Sequence, residues 1–275
     1  MSKNERYYQN KTILITGAAS GIGKRFAEKI APVPGVTLLL WDRNPDQLEQ
    51  IKQQLEPVCS VFISDVDISD SDQISLEANR LILQNFLPDI IINCAGIVVG
   101  KLFHDHSSLD IHRTMQINGT GSMWVTHAFL KEMIKRGSGT IVNLGSASGY
   151  FGNPRMSVYA ASKSAILGWS ESLRIEMKQL KTGVQITTVI PSYINTGMFD
   201  GVKAPLLTPI LETDDIVDKM ISGIAKGKAE IKAPLIVHIV PLLKAVLPSS
   251  IFDWLAGNIF GVYHSMASFK GRNKD

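Results

Sequence analysis

The chain has 275 residues, 45% of them apolar, and a formal net charge of +3 with acidic and basic residues mixed throughout. That suffices for a sizeable core in one large domain or two small ones, and no basic block is long enough to offer a nucleic-acid surface. The two cysteines, Cys59 and Cys94, lie far apart inside apolar runs, which excludes a disulfide scaffold and points to buried thiols in a reducing compartment.

The N-terminal MSKNERYYQNK is polar and charged, unlike a signal peptide. KTILITG (11–17) reads as a short buried strand ending in glycine, followed by a helix from about Gly21 to Ile30. VTLLLWD (36–42) is the second strand, with a polar helix from about Pro45 to Leu55 behind it. VCSVFISDV (58–66) and DIIINCAG (89–96) are the third and fourth strands, separated by a helix over 70–84. A long helical stretch over about 107–135, GTIVNLGS (139–146) as a strand, a helix over about 156–180 and VQITTVIP (184–191) complete the regular part. After 192 the pattern loosens to a helix over 212–226 and a short last strand in KAEIKAP. Short apolar strands alternating with helices predict βαβ units and a parallel sheet covered on both faces, with no domain break before about 192. No stretch reaches the roughly 18 uncharged apolar residues of a spanning helix; APLIVHIVPLL (233–243) comes closest and is short and broken by proline. A cytoplasmic location is expected, with no membrane-spanning segment.

TGAASGIG (16–23) lies between the first strand and first helix. Gly17, Gly21 and Gly23 there permit a tight turn and let backbone approach a pyrophosphate, which the helix N-terminus attracts. Asp42 ends the second strand, where a carboxylate can accept the ribose hydroxyls of an adenosine and repel a 2′-phosphate; the alternative is an aspartate that caps the next turn. Arg43 beside it could pair with a phosphate, so NAD is preferred and NADP stays as the alternative. Asp65 and Val66 end the third strand, suited to an adenine amino group and ring face. Asn93, Ala95 and Gly96 end the fourth, on the side of the sheet where ligands bind; Asn93 serves equally well as a stitch between backbones.

In SVYAASKSAILG, Tyr159 and Lys163 stand four residues apart and share a helix face. A phenol of pKa about 10 is a poor base at neutral pH, and a neighbouring ammonium stabilises its phenolate. Such a pair can take the proton of an alcohol as hydride leaves the carbon. Ser146, in NLGSASG, is placed to bond the substrate oxygen where charge develops; Ser148, two residues further on, ranks second. Asn118 lies within the helix after the fourth strand, where its amide could break the backbone ladder and hold a water near Lys163; a surface helix position is the alternative. No G-x-S-x-G elbow supports a serine hydrolase. His104, His106 and His112 come without H-E-x-x-H, so no metal site is expected.

Together TGAASGIG, NCAG, the asparagine of MQING, the serine of NLGSASG and YAASK resemble the short-chain dehydrogenase/reductase family in order and spacing over roughly 11–199. The resemblance implies a three-layer α/β Rossmann fold with a doubly wound, seven-stranded parallel sheet, here one domain over 1–275, assembled as a homodimer or homotetramer. It implies that Tyr159 is the acid/base, that Lys163 lowers its pKa and binds the nicotinamide ribose, that Ser146 polarises the substrate oxygen and that Asn118 holds the water of a proton relay. Gly17, Ser20, Ile22, Asp42, Asp65, Val66, Asn93 and Ile194 would line the cofactor, with Gly21, Gly23, Arg43, Ala95, Gly96 and Pro191 beside them and Thr196 on the carboxamide. The family's proline–glycine after the sixth strand is here Pro191–Ser192, and serine has less freedom at positive φ.

The segments 97–106 and 192–211 are expected to shape the substrate site, with Ser148, Tyr193, Met198 and Phe199 as contacts and Val202, Leu206 and Leu207 nearby. INTGMF, the apolar stretch VLPSSIFDWLAGNIFG and the tail SMASFKGR (265–272) resemble a branch that acts on retinoids, hydroxysteroids and other lipid alcohols, without the N-terminal anchor many of its members carry. The expected activity is hydride transfer between a nicotinamide cofactor and the alcohol or carbonyl carbon of a bulky apolar substrate. A small polar alcohol or ketone is the second reading, and a silent dinucleotide-binding scaffold the third. Three roles compete for 233–263: a cover for the substrate site, a subunit interface, or peripheral contact with a membrane.

Overall fold

The computed structural model describes residues 3–271. Residues 1, 2 and 272–275, and with them the ends of the single-domain expectation, the start of MSKNERYYQNK and Arg272 of SMASFKGR, lie outside the described residues.

In chain order the elements are α1 (Lys3–Tyr8), β1 (Thr12–Thr16), α2 (Gly21–Ile30), β2 (Thr37–Asp42), α3 (Pro45–Leu55), β3 (Ser60–Asp65), α4 (Ser71–Leu83), β4 (Ile90–Asn93), α5 (Ser108–Met115), α6 (Gly121–Arg136), β5 (Gly139–Leu144), α7 (Ser157–Gln179), β6 (Val184–Pro191), β7 (Ile194–Asn195), β8 (Leu211–Glu212), α8 (Thr213–Ala225), β9 (Glu230–Ala233), α9 (Ile236–Val246) and α10 (Ser249–Trp254). Seven strands form one parallel sheet in the order β3-β2-β1-β4-β5-β6-β9, and β7 and β8 pair separately. The order reverses between β1 and β4, so loops from both halves of the sheet meet above their C-terminal ends. The chain thus has the three-layer Rossmann architecture, with the seven-stranded parallel sheet that the strand rhythm implied.

The strands are near-continuous aliphatic runs because both faces are covered. Ile13, Ile15, Leu38, Leu40, Ile90 and Ile92 pack under α2 and α8. Leu14, Leu39, Ile91 and Ile141 pack under α4 and α6, with Phe129 and Met133. Each such side chain, wholly buried, contributes about 1.5–3 kcal/mol. The polar ends of the helices are capped as their sequences suggest: the Asn44 side chain accepts from Gln47 N–H at the start of α3, Asp70 does so for α4, and Ser107 with Asp110 forms a capping box for α5.

Several boundaries differ from the sequence reading. The N-terminal segment is helical and docks: the Tyr8 ring is fully buried and its hydroxyl donates to Ile221 O at 2.9 Å. The stretch over 107–135 is two helices, α5 and α6, joined by one π turn at Gln116–Thr120. β5 stops at Leu144, so Ser146 and Ser148 lie beyond the strand in a tight turn, where strand alternation does not order them. Pro241 does not break α9, which runs on to Val246. Ser192 is not among the described residues with positive φ, so the turn after β6 makes no demand for glycine.

Candidate active site

The loop after β1 is shaped by close backbone approach. Gly17 has φ +67°, and a Cβ there would fall 2.7 Å from Ala95 Cα; a Cβ on Gly23 would fall 2.4 Å from Gly17 O. The glycine turn is therefore pressed against the end of β4 on one side and against the first turn of α2 on the other. α2 starts at Gly21 with Ser20 before it, and no acidic residue occupies its first turn. Its N–H groups and the positive end of its dipole face the sheet's ligand side, as a pyrophosphate requires. Ile22 packs onto the core beneath.

Asp42 sits at the end of β2 and serves the turns around it: Ala19 N–H donates to Oδ2 at 3.0 Å and Asn44 N–H to Oδ1 at 3.2 Å. Each oxygen keeps a lone pair for a further donor. Arg43 is exposed beside it and Asp65 is exposed at the end of β3, while Val66 is buried. Asn93 is committed to its neighbours. Its amide donates to Asn143 Oδ1 at 2.8 Å and to Thr126 Oγ1 at 3.0 Å, stitching β4 to β5 and α6. Asn143 donates in turn to Ser170 Oγ at 2.9 Å.

The candidate reacting groups come from α7 and the turn after β5. Tyr159 and Lys163 stand one turn apart on α7, both buried, with Lys163 Nζ 5.7 Å from the Tyr159 ring centroid. Lys163 Nζ donates to Leu144 O at 2.7 Å, which anchors it under the end of β5. Burial pushes the Lys163 ammonium down to about 8. Burial likewise drives the Tyr159 phenol above its ordinary value; the Ser146 hydroxyl works in the opposite direction and nearby Tyr193 adds to the rise. Burial thus favours the neutral phenol, and a neighbouring ammonium is the kind of group that favours its phenolate. Ser146 is buried, and its Oγ accepts from Ser148 N–H at 3.1 Å.

Asn118 is not a surface position: it is 1% exposed, in the π turn between α5 and α6. Its carboxamide accepts from Ile97 N–H at 2.8 Å and donates to Ile97 O at 2.9 Å and to Ser162 Oγ at 3.2 Å. It thereby clips the loop after β4 to α7. Gly96 lies in that clip, its absent Cβ 3.3 Å from Asn118 Oδ1 and 3.9 Å from Lys163 Nζ. Asn118 sits in the π turn with its amide on the Ile97 backbone and on α7.

At the end of β6, Pro191 pairs in register with Ala233, and beyond it Ile194 belongs to the core. Thr196 Oγ1 accepts from Met198 N–H at 3.4 Å. Phe199 packs edge-on against Tyr159 and Tyr193, with ring centroids 6.1 and 5.2 Å apart. Tyr193 differs from a freely available contact, since its hydroxyl is bonded to Asn153 and Ser265. A cavity of about 40 Å³ lies beside Ser146, Ser148, Tyr193 and Phe199. The sequence missed Asn153, Met156, Ser265, Met266 and Phe269 around this end. Only contact across the fold brings them there, and their types carry no chemical signature.

A parallel sheet with a glycine turn at its reversal, and a serine, tyrosine and lysine converging above it, define a dinucleotide-dependent class of enzyme. The sequence model of the family described as short chain dehydrogenase matches residues 11–206, and the chain belongs to that family, as an oxidoreductase. Epidermal retinol dehydrogenase 2 of Mus musculus is 32% identical, over 100% of this chain and 90% of its own. 17-beta-hydroxysteroid dehydrogenase 13 of Homo sapiens is 32% identical, over 86% and 79%. Among solved structures, a short chain dehydrogenase/reductase from Burkholderia phymatum in complex with NAD has a TM-score of 0.79 at 22% identity, covering 87% of this chain and 94% of that one. The bulky-bulky ketone specific alcohol dehydrogenase from Comamonas testosteroni has a TM-score of 0.73 at 22% identity, covering 97% and 98%.

Proposed function

We propose that the protein oxidises an alcohol, or reduces the matching carbonyl, on a bulky apolar molecule, with NAD as the preferred cofactor. The observation that carries this is the buried Tyr159–Lys163 pair beside Ser146, reached from the same side of the sheet as the glycine turn. The residues fit the cofactor: the turn at Gly17 and Gly23 has no room for a Cβ, which suits backbone N–H groups brought close to a pyrophosphate, and Asp42 keeps an acceptor lone pair on each oxygen. Bound nicotinamide supplies the hydride or accepts it. Ser146 would hold the substrate oxygen and stabilise its developing charge. Tyr159 would exchange a proton with that oxygen, and Lys163 would stabilise the phenolate while meeting the ribose hydroxyls. Asn118 would keep the 96–97 loop and α7 in register, with the water relay as its expected further part.

The apolar substrate class is supported by the side chains around Tyr159, namely Val98, Phe199, Val202 and Met266. It is supported also by the names of the relatives, which include retinol and estradiol 17-beta-dehydrogenases. The test follows nicotinamide absorbance with NAD and with NADP across steroids, retinoids, fatty alcohols and small sugars. Turnover confined to small polar alcohols would replace the substrate class and leave the chemistry standing.

Among the described residues no helix is long and apolar enough to cross a membrane. Peripheral contact through α9 and α10 is the finer proposal. Val237 packs inward on Ala147 and Ile190, while Leu235, Ile239, Leu242, Val246 and Trp254 are exposed, an arrangement that suits the interface plane of a bilayer. Flotation with liposomes of neutral and of anionic lipid tests it, and failure with both removes it. Assembly as a homodimer or homotetramer, tested by light scattering, and a cytoplasmic location, tested by cell fractionation, are proposals of the same standing. So is the assignment of the whole chain to one domain.

A further inference from the structure

The reacting end is roofed by residues 265–270, beyond every segment that the sequence assigned to substrate. Met266 is 1% exposed and packs in one cluster with Tyr159, Met156, Tyr193 and Val202; Phe269, like Val98 and Phe199, is partly buried and packs against the same cluster. The Phe269 ring lies where Gly100 has no side chain, since a Cβ there would meet its Cδ1. Main-chain bonds fasten the segment to the loop after β7: Lys203 N–H donates to Ser265 O at 3.0 Å, and Lys270 N–H to Asp200 O at 2.8 Å. One short stretch therefore touches both loops expected to shape the site.

Its fixed point is a buried polar knot. Ser265 Oγ lies 2.8 Å from Tyr193 Oη and donates to Val262 O at 2.6 Å, and Asn153 Nδ2 donates to both Ser265 Oγ (3.0 Å) and Tyr193 Oη (2.9 Å). All three residues are buried. Breaking one member strands hydroxyl or amide groups away from water, so the knot holds the segment in one place.

The cavity beside Ser146 is about 40 Å³, whereas a site for a drug-sized ligand occupies about 300–1,000 Å³. Tyr159, Met266 and Phe269 do not line that cavity, so a bulky substrate that reaches Tyr159 has to displace side chains packed around it. Met156 precedes α7 directly and Val98 follows the Asn118 clip, so both are braced. Phe199, Met266 and Phe269 stand on the loop and the tail.

We propose that residues 265–270 are a strap that sets substrate size, with Met266 and Phe269 as the specificity-determining side chains and Ser265, held by Asn153 and Tyr193, as the positioning latch. This rests on the dehydrogenase reading above, and the test separates the two. Phe269→Ala and Met266→Ala are compared with the parent protein, with Phe269→Leu as the milder variant should alanine impair folding. Cyclohexanol, a decalin alcohol and a steroid 17-alcohol are the probes. Their binding in the presence of NADH is measured by calorimetry, and their turnover with NAD by absorbance. The ratio of steroid to cyclohexanol affinity is expected to rise at least fivefold in the variants, with the NADH dissociation constant within twofold. Ser265→Ala is expected to raise KM for the steroid several-fold with kcat kept, and Ser265→Thr to restore it. A size ratio within twofold of the parent in folded variants overturns the strap, as does failure of NADH-binding variants to bind any of the three. Shifted binding without any turnover supports the strap and sinks the dehydrogenase reading; turnover with an unmoved size ratio does the reverse.

Discussion

The sheet with the helices packed on it, and the loops over 192–211 with the tail over 255–271, are held by different means. In the first, wholly buried aliphatic strands set a rigid sheet, and its polar residues are matched to one another in chains such as Thr126–Asn93–Asn143–Ser170. In the second, short strands β7 and β8 and half-buried loops carry apolar side chains, several on the surface, and one knot of three residues ties the tail down. The contrast fits what the proposed function asks of each part. A proton and a hydride have to pass over distances that tolerate little error, whereas a hydrocarbon frame needs only a wall of suitable size and can be met by side chains that move.

The sharpest way to break that contrast is at Tyr159. Tyr159→Phe removes one oxygen from the precise part while keeping the ring that packs on Phe199. Turnover of a confirmed substrate is expected to fall roughly thousandfold, with melting temperature and NADH affinity nearly unchanged. Turnover within twofold of the parent would place the proton elsewhere. Gly17→Ala tests the same part through its backbone. At φ +67° the new Cβ meets Ala95 Cα, which belongs to the chain and cannot swing away. Strain of this kind costs about 1–3 kcal/mol, and NADH affinity, read by fluorescence titration, is expected to fall by up to roughly hundredfold. An unchanged affinity would detach the turn from the cofactor.

The sheet part also buries a lysine, and the cost of doing so can be read against pH. Burial lowers Lys163 from its ordinary 10.5 to about 8. Between those values the unfolded chain holds a proton that the folded chain has released, so this contribution to stability rises with pH, from about 8 up to 10.5. Cys94, pushed up to about 12 by burial, opposes it once pH passes the ordinary thiol range, so the measurement is made in a Cys94→Ala background. From pH 8 to 9.5 urea denaturation is expected to show a gain of about 2 kcal/mol that Lys163→Met abolishes. Parallel curves for the two proteins would mean that the lysine is charged in the fold.

The two parts also differ in how far the sequence announces them. β1, β2, β4, β5 and β6 were legible because parallel strands covered on both faces are largely aliphatic, and Gly17, Asp42, Ser146, Tyr159 and Lys163 stood out because residues of those types, at strand ends and on one helix face, carry the expected chemistry. α1 was hidden by its polar composition, since only Tyr8 is buried in it. Asn118 was legible as a break in helix, but its clip on Ile97 was not, because a π turn has no composition of its own. The tail was illegible as a roof: Ser265, Met266 and Phe269 lie over 70 residues from Tyr193, and hydrophobic periodicity records which residues are buried and not against what.

Asp42 gives the smallest expected effect and the finest distinction, because it belongs to both halves of the argument about rigidity and recognition. Its two oxygens already receive Ala19 and Asn44 N–H groups, so it caps the turns whatever else it does. If its charge also excludes a 2′-phosphate, Asp42→Asn is sufficient to shift the NADP-to-NAD ratio of kcat/KM by about tenfold, since about 1.4 kcal/mol of repulsion is a plausible share of a screened charge pair, and exposed Arg43 stands ready beside it. If hydrogen bonding to the ribose matters instead, kcat/KM with NAD falls while that with NADP holds. A ratio within twofold of the parent, together with a lower melting temperature, leaves Asp42 as a turn cap alone, and cofactor choice would then have to come from outside the β2 turn.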